Sequence, residues 1–244
     1  KKIITSGCSF SQTKTTTPWP NHLKTYINSI DNSVEFIHRG LMGQGNELIQ
    51  KKSMKAACDL ISKGTDSSSI AIFVMWSGID RKTFYVENPY LIQQLEQAWI
   101  RGKHGFDLQL GDLDNSEENL TFLKTDRLNN VDLGVNYNKS GGWYIPMFSS
   151  NDLVVSKEHR MLGKDKFGFF STSITLESMI SLQNFCKLHN IKLYQMFFMD
   201  EVLETIEHFK NHKDMKYLYD QIDWSTFISK QSITNYLIND LSYF

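Results

Sequence analysis

Four short stretches of this chain carry residue types suited to chemistry. Gly7-Cys8-Ser9-Phe10-Ser11 sets a small hydroxyl, Ser9, just past a strand-like run. Gly40, followed by Gly43-Gln44-Gly45-Asn46, supplies glycines whose backbone N–H groups are open to a ligand. Ser77-Gly78-Ile79-Asp80-Arg81 places a carboxylate beside a guanidinium, and Asp200 closes a later apolar run. A hydroxyl nucleophile, main-chain donors and an Asp/Arg pair make a reactive or ligand-binding set only if the fold brings them together. Each stretch alone is a weak signal.

The elements around them do predict a common edge. Residues 2–6 read as a short buried strand ending at Gly7, and the Thr-rich residues 12–18 as a loop. Pro18-Trp19-Pro20-Asn21 opens a helix, since proline fits the first turn. Leu23, Tyr26, Ile27 and Ile30 then fall at helical spacing. Residues 34–37 form a second strand ending in Arg39-Gly40. Asn46 is placed as the N-cap of a helix from Glu47 to about Ser62, striped by Leu48, Ile49, Met54, Ala57, Cys58 and Ile61. Residues 69–76 are almost continuously apolar, the pattern of a central parallel strand. Two successive strand–helix–strand crossovers predict an α/β fold with a parallel sheet. In such sheets ligands bind beyond the carboxyl ends of the strands, where all four stretches fall.

The alternation stops at Lys82. Residues 82–168 are irregular and rich in Asn, Asp and Gly, with short helical pieces at 90–99 and 116–123 and the stretch Gly141-Gly142-Trp143-Tyr144. They read as an insertion or lid within a single domain spanning 1–244. Trp143 and Tyr144 either stack on a sugar ring or pack the loop against its domain. A helix at 173–189, a strand at 191–199 and amphipathic pieces at 202–209, 217–222 and 233–241 follow.

Composition bounds the partners. The chain has 244 residues, enough for a full core without staples. Hydrophobic residues at 41% and charged residues at 22% exclude dominant disorder. Lys+Arg 26 against Asp+Glu 27 argues against a general nucleic-acid binder. Three scattered cysteines give neither a disulfide framework nor a metal motif, so a reduced compartment is expected. His208 and His212 are four apart on a helix but lack a third ligand, so neither metal nor cofactor is expected. No apolar run is long enough to cross a bilayer. The sequence opens on a strand with no signal peptide in view, which predicts a cytoplasmic protein or one carried in a virus particle.

Taken in order, the stretches resemble the conserved blocks of SGNH/GDSL-type hydrolases. Residues 3–11 are similar to the first block, with Cys8 in the aspartate place; residues 40–46 resemble the second, with Gly43 as the backbone donor. Ser77-Gly78-Ile79-Asp80 stands where the third block belongs. The Gly-Cys-Ser-Phe start with the later Trp-Ser-Gly-Ile-Asp-Arg resembles a branch common among phage and marine bacterial sequences. The match covers roughly the first third of the chain. It implies a three-layer α/β/α, flavodoxin-like domain. The implied activity is an ester hydrolase or acyl transferase acting on O-acyl groups, including carbohydrate-linked ones. Ser9 would attack the ester, with its own N–H and that of Gly43 holding the oxyanion. Asn46 is a substitute donor and Asp80 a further catalytic candidate, with Arg81, Gly45, Ser77 and Asp200 facing the substrate.

Two departures from the family pattern stand out. Ile79 occupies the place of a side-chain donor, and no histidine among His22, His38, His104, His159, His189, His208 and His212 has an aspartate three residues before it. A serine without a base is a weak nucleophile. Three explanations stay open: the base lies beyond Phe244, His104 or His159 supplies it, or catalysis has been lost. In the last case the domain is a binding or structural module, for example of a virus particle. Bland readings stand beside these: Ser9 as a turn cap, the glycines as turn formers, Asp80 and Arg81 as a structural ion pair, Cys8 as a buried thiol. A nucleotide-binding flavodoxin-like protein is a third class.

Overall fold

A computed structural model describes residues 1–8, 18–40, 44–79, 84–86, 142–144, 169–229 and 232. Strands β1 (Lys2–Ser6), β2 (Glu35–His38) and β3 (Ile70–Trp76) alternate with helices α1 (Trp19–Ile30) and α2 (Asn46–Ser62). Later come β4 (Phe84–Val86), β5 (Gly142–Tyr144), α3 (Phe169–Leu188), β6 (Lys192–Phe197), α4 (Asp200–Glu207) and α5 (Lys216–Asp220). The sheet runs β2-β1-β3-β6, with every pairing parallel. This is an α/β fold with the strand order of flavodoxin-like doubly wound sheets, whose switch point falls between β1 and β3. A parallel bridge from Gln195 to Phe227, with Ile228 N donating to Gln195 O at 2.9 Å, starts a further strand beside β6.

Two units divide the chain: 1–81 with 165–244, and 82–164. Within the second, β4 and β5 pair antiparallel, Tyr85 opposite Trp143, so the aromatic-glycine stretch is a strand rather than a loop. The helical pieces expected at 90–99, 116–123 and 233–241 lie outside the described residues.

One face of the sheet carries the main core. Ile4, Ile72, Val74, Trp76 and Phe197 pack there against Ile49, Ala56 and Ala57 of α2 and Leu176, Met179 and Leu182 of α3. Each of the larger aliphatic and aromatic side chains contributes about 1.5–3 kcal/mol on burial. Met75 and Met196, neighbours in register, point to the other face and meet Cys8, Trp19 and Phe198. Phe73 stacks on its cross-strand neighbour Tyr194 with ring centroids 4.5 Å apart. Within α1, Leu23 and Ile27 are half-buried while Tyr26 and Ile30 remain exposed.

Boundaries shift where a polar side chain finds a different partner. Helix α2 starts one residue earlier than expected, with Gly45 rather than Asn46 as N-cap, because the Asn46 side chain bonds across the sheet edge. Helix α3 starts at Phe169, and Ser173, the expected first residue, returns its hydroxyl to Phe170 O at 2.8 Å instead of capping. Both helices end in αL closures. At Gly64 (φ 86°) Thr65 N reaches Leu60 O, and at Asn190 (φ 54°) Ile191 N reaches Cys186 O.

Candidate functional site

Two side chains, two residues apart, tie three loop exits together. Gln44 is fully buried, and its amide donates to Gly7 O, to Arg39 O at 3.4 Å and toward Ser6 Oγ at 3.5 Å. Carbonyl acceptors on both sides fix the orientation of this amide. It fastens the exit of β1 to that of β2. Asn46, the first residue of α2, accepts from Ser77 N at 2.8 Å through Oδ1. Its Nδ2 donates to Ser77 O at 3.2 Å and to Thr175 Oγ1 at 3.0 Å. That fastens the exit of β3 to the start of α2 and the second turn of α3.

The fold therefore brings Gly7, Gln44, Asn46 and Ser77 to one carboxyl edge. Ser9, Gly43, Asp80 and Arg81 lie outside the described residues, each within four positions of a tied residue. Asn46 does not fit the expected role of an oxyanion donor, because both of its amide hydrogens are engaged. It is a strut that positions the loop after β3. Gly45 is the extended N-cap of α2 (φ −81°, ψ 168°) and takes no side-chain cap. Ser77 is buried, with its backbone N–H and C=O both held by Asn46. Asp200 opens α4 and accepts from Ser232 N at 2.8 Å, a joint between that helix and the segment after residue 229. Cys8 is fully buried against Met75 and Met196, as a small apolar thiol would be.

Helices α2 and α3 each precede a parallel strand, so both run antiparallel to the sheet and aim their N-termini at this edge. A helix N-terminus carries roughly half a positive charge. Near these ends, among the described residues, three buried oxygens have no hydrogen-bond partner: Gln44 Oε1, Ser77 Oγ and Thr172 Oγ1. Such orphans are rare in native proteins. Sequence reasoning missed Thr172 and Thr175. The signal was the run of hydroxyls Ser171, Thr172, Ser173 and Thr175 in the first two turns of the helix.

The described histidines make other contacts. His38 Nδ1 lies 2.9 Å from Thr5 Oγ1 across β2 and β1, His189 caps α3 beside Phe185, and His212 Nδ1 accepts from Asp214 N. His22 and His208 are exposed, and His104 and His159 lie outside the described residues. Among the described residues no three His, Cys, Asp or Glu side chains gather as a metal requires, and no helix is long and apolar enough to cross a membrane. Compared with known protein families, curated proteins and solved structures, the chain matches none.

Proposed function

We propose that this chain is an SGNH-like ester hydrolase or acyl transferase acting on O-acyl groups through Ser9. The observation that carries the reading is the pair of struts. Gln44 and Asn46 bind the exits of β1, β2 and β3 into one edge, and Ser9, Gly43 and Asp80 lie one to three positions along the chain from Gly7, Gln44 and Ser77. A nucleophile needs its oxyanion donors within hydrogen-bond reach, and loops fastened at their roots supply that preorganisation. Backbone N–H groups of Ser9 and Gly43 would hold the oxyanion, each worth about 3 kcal/mol in the transition state. Asp80 and Arg81 would orient the substrate.

A second reading is favoured by the missing Asp-x-x-His and by the engagement of the Asn46 amide. In it the domain binds its ligand, or builds a particle, without turnover. Hydrolysis of p-nitrophenyl acetate separates the two. The active reading requires turnover that falls to the buffer rate in a folded Ser9→Ala variant; equal rates in both proteins favour the second reading.

A further inference from the structure

We propose that the paired N-termini of α2 and α3 form a binding site for a compact tetrahedral oxyanion of the phosphate class, with Ser77 Oγ and Thr172 Oγ1 as side-chain donors. The inference does not depend on Ser9 being a nucleophile.

Among the described residues, several helical hydroxyls return their hydrogen to a carbonyl of the preceding turn. Ser53 does so to Ile49 O, Ser178 to Ile174 O and Thr205 to Glu201 O. Thr172 and Ser77 do not, although both residues are fully buried. An unsatisfied buried hydroxyl is unfavourable unless a ligand or water completes it. Both sit beside the same strut. Asn46 holds the backbone of Ser77 and the hydroxyl of Thr175, and Thr172 lies three residues before Thr175, on the same face of α3 and closer to its N-terminus.

The local field favours an anion. The 17-residue α2 and the 20-residue α3 both point their positive ends at this place. No acidic residue occupies the first turn of α3; that of α2 holds Glu47, and α2 takes no side-chain cap at Gly45. Two hydroxyl donors and the main-chain amides at two helix starts would together offer a small anion both side-chain and backbone hydrogen bonds. That arrangement suits four tetrahedral oxygens better than a planar carboxylate. Burial of both hydroxyls restricts the ligand to a small group.

The test uses inorganic phosphate and the full chain, followed by isothermal titration calorimetry at pH 7 against chloride of equal ionic strength. Phosphate should bind the wild type, and Thr172→Val and Ser77→Ala should each weaken it by about tenfold. Thr172→Val preserves shape and removes a hydroxyl without a partner, so the unliganded variant should melt no lower than wild type. Absence of phosphate binding beyond chloride, or unchanged affinity in both variants, would overturn the proposal. So would lowered melting of both variants without phosphate binding, which marks the hydroxyls as holders of a structural water.

Discussion

Asn46 and Ser77 exchange two hydrogen bonds across the carboxyl edge of the sheet. The amide oxygen of Asn46 accepts from Ser77 N at 2.8 Å, and its nitrogen donates to Ser77 O at 3.2 Å. The pair joins a helix start to a strand exit 31 residues away. Asn46→Ala leaves a buried N–H and a buried carbonyl without partners, which should lower stability by about 2–4 kcal/mol. A urea midpoint unchanged from wild type would show that the strut is dispensable.

A second buried link crosses β3 and β6. Trp76 Nε1 donates to Gln195 Oε1 at 2.8 Å, and Gln195 Nε2 donates to Thr226 Oγ1 at 2.7 Å. Replacing Gln195 with leucine should cost about 1–3 kcal/mol, because the indole N–H is left buried and unpaired. Chemical denaturation followed by circular dichroism measures the loss.

The three cysteines should differ sharply in reactivity. Cys58 is exposed, whereas Cys8 and Cys186 are buried, and burial pushes the Cys186 thiol up to about 12. A thiol reacts through its thiolate. With Ellman's reagent at pH 8 the native protein should release about one equivalent quickly, and all three cysteines should react in denaturant. Rapid release of all three from native protein would contradict the buried placement of Cys8 and Cys186.

Alkaline pH should expose Tyr219. Desolvation first, then its hydrogen bond to Glu207, raises the phenol from 10.0 to about 12. A folded-state value above the unfolded one gives stability that is whole below pH 10 and fades between pH 10 and 12. Tyr219→Phe should therefore show a shallower fall in melting temperature across that window than wild type.

The fold was largely legible because its signals are local. The apolar run of β3, the Pro18-Trp19-Pro20 helix start and Gly64 at the helix end each declare themselves within a few residues. The struts were not, since their meaning lies in distant partners. Gln44 reaches Gly7 over 37 positions, and Asn46 reaches Thr175 over 129. By local pattern Asn46 is an N-cap, and tertiary hydrogen bonding overrides that preference. The pairing of β4 with β5 escaped for a similar reason, since three-residue strands carry almost no periodicity.

A fluorophosphonate probe followed by peptide mass spectrometry tests most directly whether the tied edge carries a working nucleophile. The account predicts one adduct, on Ser9, that disappears in Ser9→Ala while circular dichroism shows the fold retained. Wild-type protein that stays unlabelled under conditions where a serine esterase control reacts fully would contradict it.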